Sequence, residues 1–123
     1  MRRGSVRTGL LAVIVMATPA AQANDASYEK PLLQLAEVIG SVHYLRNLCG
    51  EKSGAWREKM EALLETETPT PDRREKLIAS FNHGYRSFAS TYEKCTAQAL
   101  AAIDRYMEEG SRLSEEIVQR YGN

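Results

Sequence analysis

The chain has 123 residues, 16 Lys and Arg against 16 Asp and Glu, two cysteines and one tryptophan. That balance argues against a nucleic-acid binder, which carries a basic excess or stripe. The longest apolar run, Leu10 to Ala17, is too short for a membrane span, which needs about 20 apolar residues.

In chain order, Met1 to Arg7 is basic, Leu10 to Ala17 is apolar, and Thr18-Pro19-Ala20-Ala21-Gln22-Ala23 is rich in small residues. These are the three parts of a secretory signal peptide, with cleavage expected after Ala23. Arg2-Arg3 raises a twin-arginine route, but the following residues do not extend that pattern, so the general export route is favoured. No cysteine follows the apolar run to carry a lipid anchor. Removing residues 1–23 takes away Arg2, Arg3 and Arg7 and leaves 13 basic against 16 acidic residues, a net charge near −3. The expectation is a periplasmic protein without a stable membrane anchor, whose residues 24–123 form a single helical domain. At about 100 residues such a domain gains from a covalent staple.

Asn24 to Lys30 is polar and reads as a frayed tail, and Pro31 as the opening of a first helix. Leu32, Leu35, Ala36, Ile39, Val42 and Cys49, with Val38 and Leu45 beside them, follow helical spacing, and Gly50 supplies the stop. Ser53 is the expected N-cap of a shorter second helix bearing Trp56, Met60, Leu63 and Leu64, fading near Glu65 to Glu67. Thr70 is placed to cap a third helix whose first residue is Pro71, with Asp72 favoured there by the helix dipole. Its stripe is Leu77, Ile78, Phe81, Tyr85, Phe88 and Tyr92. Thr96 caps a fourth helix with Leu100, Ile103, Tyr106, Met107, Leu113, Ile117 and Tyr121 along one side. No strand pattern competes.

The fold expected is all-α, an up-down four-helix bundle stapled by one disulfide. Counting helix directions puts Cys49 and Cys95 at the same end, and two cysteines in an oxidising compartment read as one bridge. Bridging them closes a loop worth about 4 kcal/mol in the chain-entropy model. Trp56 is expected to cover the bridge. Gly40, Gly84 and Gly110 fall inside helices at about 1 kcal/mol each relative to alanine. Close helix approach is the favoured compensation over a groove where a ligand meets backbone, and a break of helix four at Gly110 stays open.

The inventory for catalysis is thin. There is no phosphate-binding glycine loop, nucleophile elbow or His-Glu-x-x-His pair, and no cofactor or metal is expected. His43 and His83 read as packed or surface residues rather than ligands. What remains is a polar and aromatic set near the bridge, namely Trp56, Arg57, Asn82 and Arg86. Asn82 and Arg86 are four apart and share a flank of helix three. They serve either as ties to an acid such as Asp104 or Glu108, or as a recognition surface.

Leu48-Cys49-Gly50, Trp56-Arg57, Met60 with Leu63-Leu64, Pro69-Thr70, Phe81-Asn82-x-Gly84-Tyr85-Arg86-x-Phe88, Tyr92, Cys95-Thr96 and Arg105-Tyr106-x-Glu108-x-Gly110 resemble an uncharacterised family. It is an alphaproteobacterial family of small secreted helical proteins with two well-separated cysteines, classed as a domain of unknown function. The resemblance implies a periplasmic location and a disulfide, and no activity. The expected role is a non-enzymatic interaction module, an adaptor or regulator bound to an envelope protein. The alternative is a small-ligand carrier or sensor, which needs a lined cavity of about 300 Å³ or more.

Overall fold

The computed structural model describes residues 20–121, with Gly4, Gly9 and Ala12 as isolated positions before them. The Leu10 to Ala17 run and the rest of residues 1–19 otherwise lie outside the described part. Four helices and no strand are found among the described residues: α1 Ala20–Leu48, α2 Ala55–Glu67, α3 Pro71–Ala89 and α4 Ala97–Tyr121. They form an up-down bundle stapled by a disulfide between Cys49 and Cys95, whose Cα atoms are 5.0 Å apart.

The bundle is not a square. α1 packs against each of the other three helices, α2 and α3 touch only slightly, and the α2 and α4 backbones do not approach one another. The sequence of α1 shows why it takes the centre. Val38, Ile39, Gly40, Ser41 and Val42 are all buried, and successive helical residues are about 100° apart, so five in a row cover the whole circumference. Ser41 tolerates burial because its hydroxyl donates to the Glu37 carbonyl at 2.8 Å.

α1 starts well before Pro31, which lies inside it. The expected frayed tail is helical, α1 running from Ala20, and the position after Ala23 where cleavage is expected falls inside the helix. Composition misread residues 28 and 29 because their polar groups are tied down. The Tyr28 hydroxyl donates to Glu67 at the end of α2, and Lys76 of α3 pairs with Glu29 at 3.3 Å. Gly50 ends this region with a φ of +115°, a conformation glycine adopts without strain.

The caps follow the sequence closely. Thr70 Oγ1 accepts from the Arg73 amide at 3.3 Å with Pro71 in the first turn, and Thr96 Oγ1 accepts from the Ala99 amide at 3.1 Å. At α2 the cap is Gly54 rather than Ser53, although the Ser53 hydroxyl still accepts from the Ala55 amide at 3.4 Å.

Two stripes are shifted from expectation. On α3 the buried positions are Leu77, Phe81 and Gly84, while Ile78 and Tyr85 flank them as exposed residues. Tyr92 lies past the helix, its ring stacked on Phe88 and its carbonyl accepting from the Tyr44 hydroxyl. On α4 the buried residues are Ala99, Ala102 and Leu113, and Leu100 is 53% exposed. The bridge holds the start of α4 against the end of α1, and there Ala99 and Ala102 are the α4 residues buried beside Leu45. Gly110 does not break α4. Trp56 does not cover the bridge either. It packs with the clusters around Ile39 and Val42, whereas Cys49 packs with Leu45, Ala99 and Ala102.

α1 and α3 meet backbone to backbone. A Cβ on Gly40 would stand 2.7 Å from the Phe81 carbonyl carbon and closer to its oxygen. A Cβ on Gly84 would stand 2.6 Å from Ser41 Oγ and closer to the Glu37 carbonyl oxygen. Each glycine thus receives the carbonyl three residues before the other. Gly110 is different, since its Cβ would meet only the Val38 Cγ1 methyl, at 3.3 Å. Gly40→Ala and Gly84→Ala should each lose at least about 1 kcal/mol in urea denaturation, overpacking outweighing the gain in helix propensity. Gly110→Ala should stay within about 0.5 kcal/mol of the parent, propensity offsetting one adjustable methyl contact.

Candidate functional site

Two surfaces flank α2, and its first turn sends neighbouring residues to different ones. Trp56 and Arg57 are about 100° apart around the helix. Trp56 turns toward the space between α2 and α4, whereas Arg57 stands where its charge is felt by His43 of α1. The four residues singled out from sequence are therefore divided, with Trp56 on one surface and Arg57, Asn82 and Arg86 on the α2–α3 side.

The α2–α3 seam is built around His43. Its ring stacks on Phe81 at a centroid distance of 5.8 Å and lies 5.7 Å from Tyr85. Tyr85 meets Tyr44 edge-on at 5.2 Å and remains 38% exposed. Asn47 Nδ2, which donates to the His43 carbonyl at 2.8 Å, stands 3.3 Å from His43 Nδ1. Asn47 Oδ1 accepts from the Ser53 amide at 2.9 Å, so the histidine is linked to the turn that starts α2. Asn82 and Arg86 lie one turn apart on the outer flank of α3. Among the described residues neither forms a side-chain hydrogen bond or ion pair, and Asp104 and Glu108 do not reach them. Arg57 and Arg86 are exposed and Asn82 is half-buried.

The second surface is an open groove of about 630 Å³ with α1 as its floor and α2 and α4 as its walls. Leu35, Val38 and Val42 line the floor, Trp56 and Leu63 one wall, and Met107 the other. Arg46 and Lys59 hold their cations over the Trp56 ring, at 5.8 and 5.4 Å from its centroid. Sequence reasoning missed this groove because Met107 and Gly110 were read with a single core stripe of α4 and Ser111 and Ser114 were not read as lining anything. The signal available was the mixture of apolar and small residues between them.

Among the described residues no three His, Cys, Asp or Glu side chains gather as a metal-binding group. No described helix is long and apolar enough to cross a membrane.

Burial first, and the Arg57 charge second, hold the His43 pKa below its ordinary 6.5. Below that value the unfolded chain takes up a proton that folded His43 resists, so stability falls with pH until the folded histidine also protonates. Denaturation at about pH 7 and about pH 5 should show this loss in the parent and a smaller loss in His43→Gln. Arg57→Ala should fall between them, because only the second cause is removed.

The family described as "Protein of unknown function (DUF2385)" matches residues 27–121. No curated protein and no solved structure matches the chain. The match takes in all of α2, α3 and α4, most of α1, both cysteines and both surfaces beside α2, and the chain belongs to the DUF2385 family.

Proposed function

We propose that this protein is an exported, periplasmic interaction module without enzymatic activity, an adaptor or regulator of a cell-envelope process. In this reading the family is one of small secreted alphaproteobacterial proteins, and the partner is an envelope protein held at the α2–α3 seam. The observation that carries the reading is the state of Arg57, Asn82 and Arg86. They stand beside the exposed Tyr85 and are spent on no hydrogen bond or ion pair among the described residues. Internal ties would need acids against them. Arginine and tyrosine are frequent interface anchors, and two arginines favour an acidic segment of the partner. α2 and α3 lie within the loop that the Cys49–Cys95 bridge closes, so less disorder is lost on binding. The basic and apolar leader of the sequence and the disulfide fit an oxidising compartment.

A second reading, a carrier or sensor of a small apolar ligand, is favoured by the groove, whose volume of about 630 Å³ is within the range of ligand sites. Trp56 is the one tryptophan of the chain, so its fluorescence reports on the groove directly.

Crosslinking capture from intact periplasm with the tagged protein, alongside melting curves, tests the first reading. Arg57→Ala, Asn82→Ala and Arg86→Ala should each reduce capture of the same partner while leaving the melting temperature at about pH 7 unchanged. Melting temperatures that drop in step with capture at all three positions would make these residues structural and remove the site. Saturable quenching of Trp56 by a lipophilic probe, with capture unaffected by the three substitutions, would favour the carrier.

A further inference from the structure

We propose that His43 and Asn47 form an acid-sensitive latch on the start of α2. When the histidine takes up a proton, Asn47 releases the Ser53 amide, and the first turn of α2 comes loose from the end of α1.

Two backbone groups fix the orientation of the Asn47 side chain. The Ser53 amide donates to one end of it at 2.9 Å, and a backbone N–H cannot accept, so that end is the carbonyl oxygen. The other end stands 2.8 Å from the His43 carbonyl, which can only accept, so it is the NH2 group. The same NH2 faces His43 Nδ1 at 3.3 Å. Nδ1 is then the bare nitrogen of the neutral ring, and Nε2 carries its hydrogen. A second proton has one place to go, the nitrogen that faces Asn47.

Protonation therefore sets an N–H against an NH2. Turning the amide over satisfies the new N–H, but it sets oxygen against the His43 carbonyl and NH2 against the Ser53 amide. Two hydrogen bonds are lost for one gained. The ring has little room to retreat, with the Phe81 and Tyr85 rings of α3 at 5.8 and 5.7 Å. No carboxylate relieves the new charge. From α2 the charge that reaches His43 is the Arg57 cation, which opposes it. On α1 and in the turn after it, Glu37 stands 3.8 Å from His83 and Glu51 is bound by Arg46. Among the described residues no acid forms an ion pair with His43.

α2 has little hydrogen bonding of its own to replace the latch. Its N-cap is Gly54, which has no side chain to hold the first amides, and the Ser53 hydroxyl reaches the Ala55 amide only at 3.4 Å. The Ser53 amide also donates to the Glu51 carbonyl at 2.9 Å, but that bond stays within the turn. Asn47 is the side chain that ties Ser53 to α1. Trp56 and Arg57 follow directly in the first turn of α2. Acid thus also rearranges the α2–α3 seam through Arg57. That consequence rests on the seam being the partner surface, and the latch does not.

Nitrogen-15 NMR of the purified oxidised protein, titrated from about pH 7.5 to about pH 5, tests the proposal, with circular dichroism confirming that each variant is folded. At the upper end the His43 ring should carry its hydrogen on Nε2. On acidification the Ser53 and Trp56 amide resonances should shift with the same midpoint as the His43 ring. His43→Gln should abolish the Ser53 shift, and His83→Gln should leave it in place. Asn47→Asp offers one oxygen to the protonated Nδ1 and another to Ser53. Its His43 midpoint should therefore lie above the parent's, and Ser53 should stay bound in acid. A neutral His43 protonated on Nδ1 overturns the proposal. So does a Ser53 resonance that stays in place while His43 titrates, that still moves in His43→Gln, or that moves in Asn47→Asp as it does in the parent. All of these are read without a partner, so they stand apart from capture at the seam.

Discussion

The crossing of α1 and α3 at Gly40 and Gly84 is the contact on which the rest of the architecture depends. Each glycine costs about 1 kcal/mol of helix propensity, and each receives a carbonyl of the opposite helix where a Cβ would stand. The two helices therefore meet backbone to backbone, with no side chain between them at the two glycines. That approach brings Phe81 over the buried face of α1 beside Met60 and Leu64, so α2 is recruited to the same cluster. It also fixes the height at which His43 meets Phe81 and Tyr85, and the seam is a direct result.

With α3 held against one side of α1, the disulfide fixes the opposite element. Cys95 immediately precedes α4, and its bond to Cys49 brings the first turns of α4 against Leu45 through Ala99 and Ala102. Three helices then surround one, and a central helix with neighbours on every side must be apolar around its whole circumference. Val38 to Val42 meet that demand with a glycine for α3, a self-satisfied serine and three apolar side chains. What this arrangement cannot do is bring α2 and α4 together, because both are committed to α1 at different angles. The groove is the geometric remainder.

The two surfaces beside α2 have different chemistry because they have different neighbours. Toward α3 the seam is polar and aromatic, with cations that no acid among the described residues engages. Toward α4 it is apolar, with one basic and one acidic wall residue. Trp56 and Arg57, adjacent in sequence, supply one anchor to each. A small helical domain can in this way present two chemically distinct surfaces without an enlarged core.

Much of this was legible in the chain. Helix number, the Thr70–Pro71 and Thr96 caps, the stop at Gly50 and the cysteine pairing are encoded by local chemistry and by the direction count of short connections. Intrahelical glycines with no turn to make already pointed to close packing at positions 40 and 84. The start of α1 was not legible, since Tyr28 and Glu29 are held by Glu67 and Lys76 from helices that the local pattern does not contain. The exposure of Leu100 was not legible either. Periodicity locates an apolar stripe but does not say which of its edges a neighbour will cover, and the bridge turned the alanines inward instead. The division of Trp56 from Arg57, Asn82 and Arg86 likewise waited on where α3 and α4 lie about α1. Sequence alone determined the number of elements, most of their ends and their staple, because caps and stops depend on residues within a turn or two and two cysteines leave one pairing within the chain. Which faces were left uncovered was decided by tertiary packing, because exposure is a property of the neighbours a helix acquires.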